Sequence, residues 1–92
     1  MSGEKLSVEL EIKNRKGLHA RAAAAFVKAI ENLDARVEVE RIGQAVDVCS
    51  IMGLMMLAAS KGTVITVTAE GAEAQKALDE LTRLINNKFG ED

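Results

Sequence analysis

The sequence predicts an α+β domain in which a four-stranded antiparallel sheet carries three helices on one face. Its 92 residues have the length of one small domain, which we assign to residues 1–92. Segments with an apolar residue at every second position alternate with segments of helical spacing, in the order β-α-β-β-α-β-α. Because each strand has one apolar face and each long helix one apolar stripe, a two-layer arrangement buries both together.

A change of period separates the first strand from the first helix. Apolar and polar residues alternate over residues 6–12, which predicts a half-buried strand. Residues 14–18 form a loop with Gly17 as its pivot, and a helix follows from about residue 20 to residue 33. The apolar face of this helix contains Ala23, Phe26, Val27, Ile30 and Leu33.

The middle of the chain contains two strands and a short helix. Residues 34–43 predict a second strand with Val37 and Val39 facing inward, and Gly43 is the turn residue. Residues 44–50 predict a short third strand. Ser50 is a suitable N-cap for a short helix over residues 51–60.

The last part of the chain predicts a strand and a helix. Residues 63–71 have the strongest β signal, because they combine β-branched residues with alternation. A helix from Gly71 to about Lys88 follows, with Glu73 in its first turn and Lys88 in its last turn, where both charges favour the helix dipole. Its apolar stripe contains Ala74, Ala77, Leu78, Leu81, Leu84 and Ile85.

Charge and aromatic content limit the classes of partner. A net charge of −2 gives no reason to expect nucleic-acid binding or membrane insertion. Aromatic residues make up 2% of the chain, which nearly excludes base stacking on single-stranded nucleic acid. Over residues 12–30, however, every charged side chain is basic. These side chains are Lys13, Arg15, Lys16, Arg21 and Lys28.

Cysteine usage and the lack of long apolar runs predict a cytoplasmic location. Cys49 is the only cysteine, so an intrachain disulfide is impossible, and a lone cysteine is typical of a reducing compartment. The first ten residues contain no long apolar run, and no segment approaches the roughly 20 apolar residues of a membrane span. Neither metal-ligand spacing nor a nucleotide-binding glycine loop is present, so we expect no metal and no cofactor.

The single histidine, His19, stands at the predicted start of the first helix. The first N–H groups of a helix lack intrahelical partners, and the helix dipole adds positive charge, so this position suits an anion. Neutral imidazole has a free ring nitrogen that can form a covalent intermediate. A phosphoryl group there would be held by the N–H groups of Ala20 and Arg21 and by the Arg21 guanidinium. A histidine at a helix start is also a common surface residue, so composition alone leaves both interpretations open.

Two motifs about thirty residues apart decide between these interpretations. The segment GLHAR, followed by an alanine-rich helix, resembles the active-site motif of the HPr phosphocarrier family of the bacterial phosphotransferase system. The segments SIMGLMML and SKG, the following Thr/Val strand and the closing helix resemble the second half of the same family. The resemblance covers residues 6–89 and implies an open-faced β-sandwich.

The resemblance implies a role for each residue of the first motif. In this family the histidine accepts a phosphoryl group on Nδ1 from Enzyme I, which takes it from phosphoenolpyruvate, and passes it to a histidine of an EIIA-type protein. By resemblance His19 is this acceptor and Arg21 stabilises the phosphoryl group. The protein is then a phosphoryl carrier without catalytic turnover of its own, and we expect it to be a monomer.

The chain departs from the family pattern at two positions near this histidine. Ala22 replaces the usual proline, whose fixed φ suits a first helical turn, so the turn should be slightly looser. Lys16 stands three residues before the histidine, where Asn or Ser is frequent. We expect both changes to tune the rate of transfer and the choice of partner without abolishing transfer.

The short helix carries the other functional predictions. Ser50 matches the serine that a dedicated kinase phosphorylates in some members of the family, although a serine is also a good N-cap regardless of regulation. Residues 51–57 are apolar almost all around the helix, and the excess over one buried face predicts an exposed patch for Enzyme I and EIIA. The predicted contact residues are Ile51, Met52, Met55 and, on the first helix, Lys28 and Arg21.

Two alternatives to a phosphocarrier remain at the level of the sequence. One is a regulatory docking module of the same family that no longer transfers phosphate, which Ala22 would favour. The other is a ferredoxin-like sensor of small ligands, which shares the α/β alternation and leaves His19 unexplained. Within the family, the short helix and the INNKFGED tail favour the nitrogen-type branch over the sugar-type branch.

Overall fold

The computed structural model describes residues 5–48, 50–57 and 59–90, and Cys49 lies outside them. The element order within these residues is the one predicted from the sequence. The strands are β1 (Lys5–Glu11), β2 (Arg36–Arg41), β3 (Gln44–Asp47) and β4 (Val64–Glu70). The helices are α1 (Ala20–Ile30), α2 (Ile51–Met56) and α3 (Ala74–Asn86), and a short 3₁₀ turn, Lys88–Gly90, follows.

The strands form one antiparallel sheet in the order β1-β4-β2-β3, with the three helices against one face. The register places Val67 of β4 opposite Val8 on one side and Val39 on the other. Alternation along β4 buries Ile65, Val67 and Ala69 and directs the residues between them to the other face. The predicted α+β open-faced sandwich is therefore confirmed.

The helices bury the residues at helical spacing. Helix α1 buries Ala22, Ala23, Phe26 and Ile30. The two alanines are small, so the helix packs closely on the sheet. The stripe predicted for α3 is buried with the exception of Leu84, which is half-buried. The rings of Phe26 and Phe89 meet at a centroid distance of 5.7 Å in a tilted arrangement, which fixes the 3₁₀ turn against α1.

Four helix boundaries differ from the sequence prediction. Helix α1 ends at Ile30, because a turn in which the Leu33 amide bonds to Ile30 O begins there. Helix α2 ends at Met56, and the chain then bends toward the loop before α1. Glu73 is the N-cap of α3 rather than a first-turn residue, and its Oε1 accepts a hydrogen bond from the Asp34 amide at 2.7 Å. Lys88 lies beyond α3 with φ +55°.

Candidate functional site

The loop before α1 is anchored by Gly17. Its φ is +71°, and a Cβ at this position would lie 2.5 Å from Ala59 O and 2.8 Å from the α-carbon of Ser60. Only glycine fits such an approach between two backbones. The buried Asn14 reinforces the loop, because its Nδ2 donates to Gly17 O at 2.8 Å.

The contact between Gly17 and Ala59 also positions His19, the residue that precedes α1. The Leu18 amide donates to Ala59 O at 2.9 Å, and the Leu18 side chain is buried. The His19 amide donates to Gly17 O at 2.9 Å. His19 is therefore held as the N-cap of α1, with an extended backbone (φ −84°, ψ −176°) and a partly exposed side chain that makes no capping hydrogen bond.

The N-terminus of α1 presents uncompensated donors beside His19. The first intrahelical bond runs from the Ala23 amide to His19 O at 2.8 Å. The amides of Ala20, Arg21 and Ala22 make no hydrogen bond to any of the described residues. No acidic residue occupies the first turn. The structure thus brings His19 together with the two predicted phosphate-binding residues at the positive end of a helix.

An open surface depression of about 190 Å³ adjoins the imidazole. It is lined by Lys16, Leu18, His19, Ala59 and Ser60. The sequence pointed to Lys16 only as a departure from the family pattern, and it gave no indication of Ser60. The signal for Ser60 is tertiary: the segment reaches the histidine through the contact of Gly17 with Ala59.

Helix α2 carries the other predicted functional residues. Ser50 is its N-cap, because the Gly53 amide donates to Ser50 Oγ at 2.9 Å. Three predicted contact residues are exposed: Ile51 to 39%, Met52 to 72% and Met55 to 42%. Met56, which the prediction did not include, is 70% exposed. Helix α2 packs beside α1, where Lys28 is exposed in the last turn, so these residues lie on neighbouring elements.

Other kinds of site are not found in the part of the chain that the structure describes. Among these described residues, no group of three or more His, Cys, Asp or Glu side chains is arranged so that it could hold a metal ion. Among the described helices, none combines the length and the apolar character needed to span a bilayer.

A histidine fixed at the positive end of a helix, on an open-faced sandwich, defines a class of protein in which an imidazole carries an anionic group. The comparisons with known proteins give the family. A model described as the PTS HPr component phosphorylation site matches residues 6–87, and the chain belongs to this family. The sequence expectation is thereby confirmed.

Relatives and solved structures agree with this family. The chain is 44% identical to the phosphocarrier protein HPr of Cupriavidus necator over 94% of its own length and 97% of that protein. It is 39% identical to the HPr-like protein Crh of Bacillus subtilis, over 87% and 94%. The crystal structure of HPr-C-His from Thermoanaerobacter tengcongensis is similar, with a TM-score of 0.90, 42% identity and coverage of 95% and 98%.

The function of the chain follows from the family. It is a phosphocarrier that relays a phosphoryl group from Enzyme I to an EIIA-type protein, and it is not a catalytic enzyme. The phosphocarrier function is therefore supported over the two alternatives from the sequence, a docking module without phosphate transfer and a sensor of small ligands. The relatives described above do not support the expected preference for the nitrogen-type branch.

Proposed function

We propose that His19 is the residue that carries the phosphoryl group, on its Nδ1. The observation that supports this assignment is that His19 lines an open depression and directly precedes the unbonded first amides of α1. In this arrangement the amides of Ala20 and Arg21 and the Arg21 guanidinium bind the phosphoryl oxygens. Arg21 is exposed and forms no ion pair with the described residues, so its charge is available to the ligand.

The transfer step is a displacement at phosphorus. The lone pair of the His19 ring nitrogen forms an N–P bond while the bond from phosphorus to the donor atom breaks, and the donor takes that electron pair. The imidazole loses the proton on its other nitrogen, and the donor gains one. The helix amides and Arg21 stabilise the charge on the three phosphoryl oxygens without taking part in the bond changes.

The assignment is tested by intact mass spectrometry after incubation with phosphoenolpyruvate and Enzyme I. We expect one acid-labile phosphoryl group on the natural chain and none on His19→Ala, with circular dichroism showing that the variant is folded. Phosphorylation of His19→Ala to the natural level would overturn the assignment. Transfer rates to sugar-type and nitrogen-type EIIA proteins then identify the branch in which the chain works.

We further propose that Lys28, Ile51, Met52 and Met55 form the surface that docks Enzyme I and EIIA. Their exposure on two adjacent helices supports this, since exposed methionines suit partners of different shape. Charge from Lys28 and Arg21 would select an acidic partner surface.

Ser50 is the proposed site of regulatory phosphorylation by a serine kinase. Its side chain is exposed next to Ile51 at the edge of this docking surface. A phosphate there adds nearly two negative charges and would repel an acidic partner. A Ser50→Asp variant that transfers the phosphoryl group at the natural rate at every Enzyme I concentration would contradict this role.

The proposed location is the cytoplasm, and the proposed state is a monomer. The family assignment supports the location, because both partners of the relay must reach the chain. Light scattering coupled to gel filtration, in the phosphorylated and unphosphorylated forms, tests the monomeric state.

A further inference from the structure

We propose that Lys16 and Ser60 are two further phosphoryl-binding residues, at the depression that adjoins His19. The proposal rests on His19 as the acceptor. Lys16 and Ser60 line the same depression as His19, although Ser60 is far from His19 in the sequence.

The contact between two backbones fixes this geometry. Gly17 packs directly on Ala59 and Ser60, and the Leu18 amide donates to Ala59 O at 2.9 Å. Ser60 is part of this contact and Lys16 directly precedes Gly17, so the two residues are held near each other and near His19. A phosphoryl group on His19 that extends into the depression would lie beside Lys16 and Ser60.

Lys16 is free to interact with an anion. It is exposed, and it forms no hydrogen bond or ion pair with any residue in the ranges that the structure describes. No acidic residue occurs in the sequence between residues 12 and 30, so nothing nearby along the chain neutralises its charge. A compact ammonium on a flexible stem can follow a phosphoryl group without a fixed geometry.

Ser60 can serve as a neutral donor. Its Oγ lies 3.3 Å from Thr63 Oγ1, and either hydroxyl can be the donor of that contact. When Thr63 donates, Ser60 can turn its own proton toward a phosphoryl oxygen. The pair then forms a short relay in which Thr63 orients the Ser60 hydroxyl.

Both contacts are present only when His19 is phosphorylated, so they lower the free energy of the phosphorylated form alone. The quantity that reports this is the equilibrium constant between phosphoenolpyruvate and the carrier. Enzyme I catalyses the approach to that equilibrium and cannot shift it. A change in the equilibrium constant therefore separates phosphoryl binding from any effect of these residues on docking to Enzyme I.

The experiment measures this constant by quantifying the phosphorylated carrier at several ratios of pyruvate to phosphoenolpyruvate. We expect Lys16→Gln to lower it by about two- to fivefold, the range of an exposed charge interaction, and Ser60→Ala by about twofold. Thr63→Val should have a smaller effect in the same direction. Lys61→Gln is the matched control, since Lys61 is an exposed lysine next to Ser60 that does not line the depression.

The result that overturns the proposal is an equilibrium constant for Lys16→Gln and Ser60→Ala equal to that of Lys61→Gln. Unfolding midpoints of the unphosphorylated variants should match the natural chain, because both side chains are exposed. His19→Ala separates this failure from that of the proposed function. If it still takes up the phosphoryl group, the acceptor assignment is wrong, whereas an unchanged constant with phosphorylation confined to His19 refutes the Lys16 and Ser60 contacts alone.

Discussion

Gly17 lies so close to Ala59 that a methyl group on its α-carbon would stand 2.5 Å from the Ala59 carbonyl oxygen. This contact joins the loop before α1 to the connection between α2 and β4. Because the Leu18 amide also bonds to Ala59, the position of His19 depends on a segment far from it in the sequence. The geometry of the acceptor site is thus a property of the packed domain.

Replacement of Gly17 by alanine should therefore be much more harmful than the same change at another glycine with positive φ. Gly43 is the matched control, because its φ is +78° and a Cβ there meets nothing within 4 Å. We expect Gly43→Ala to cost about 1 kcal/mol of unfolding free energy, from conformation alone. Gly17→Ala should cost about 3 kcal/mol, since backbone atoms must also move. Urea unfolding measures both, and equal losses would show that the Ala59 contact is unimportant.

The fold could be predicted because its signals are local. Alternation marks Val37 and Val39 as inward-facing, and both are buried in the structure. The part of the phosphoryl site within residues 17–21 could also be predicted, because these residues are contiguous in the sequence and their signal is local. Ser60 was not, because only tertiary packing brings it to His19. The sequence predicts that α1 and α2 extend beyond their observed ends at Ile30 and Met56. Turn contacts end both helices at points where the apolar periodicity of the sequence continues.

Ser50 should contribute to stability through its cap, whatever its regulatory role. Its Oγ satisfies the Gly53 amide, one of the first N–H groups of α2, at 2.9 Å. We expect Ser50→Ala to reduce the unfolding free energy by about 1 kcal/mol and Ser50→Asn by much less. Thermal unfolding provides the measurement, with Ser60→Ala as a control that caps no helix. If Ser50→Ala and Ser60→Ala melt at the same temperature, the cap contributes nothing.

The turn between β2 and β3 contains a residue in an unfavourable conformation. Ile42 has φ +49° and is 87% exposed, so a β-branched side chain occupies the left-handed region without burial in return. Asparagine adopts this conformation readily before a glycine in a two-residue hairpin turn. We expect Ile42→Asn to raise the unfolding free energy by about 1 kcal/mol. A loss of stability in chemical unfolding would mean that Ile42 makes compensating contacts.

The proposed docking surface predicts a kinetic effect without a change in stability. Met52 is 72% exposed, so Met52→Gln should leave the thermal midpoint unchanged and raise the KM of Enzyme I for the carrier about threefold or more, as expected for a contact residue. Val64→Gln is the control, because Val64 is an exposed apolar residue of β4, 53% accessible and outside the docking surface. Equal KM values for the two variants would remove Met52 from that surface.

Proline substitutions in the first turn of α1 test the phosphoryl-binding amides directly. At Ala20 a proline removes one proposed donor. The backbone of His19, at φ −84° and ψ −176°, already has the extended conformation that a residue before proline prefers. Because the Ala20 amide makes no bond to a described residue, the folded chain loses no internal hydrogen bond. We expect Ala20→Pro to keep or raise stability, by up to about 1 kcal/mol, and to lower the phosphorylation equilibrium constant severalfold.

Ala22→Pro separates loss of the donor from the effect of a proline ring. It restores the residue usual in the family at a position whose amide is also unbonded, and it keeps the amides of Ala20 and Arg21. A stiffer first turn should hold these amides in place, so we expect the rate of transfer from Enzyme I to rise, by about twofold, with the equilibrium constant at or above its natural value. Ala22 is buried, so the proline ring must fit into the space around this position. A ring that does not fit would lower the thermal midpoint. If both prolines lower the equilibrium constant equally, rigidity of the turn, and not the Ala20 amide, controls phosphoryl binding.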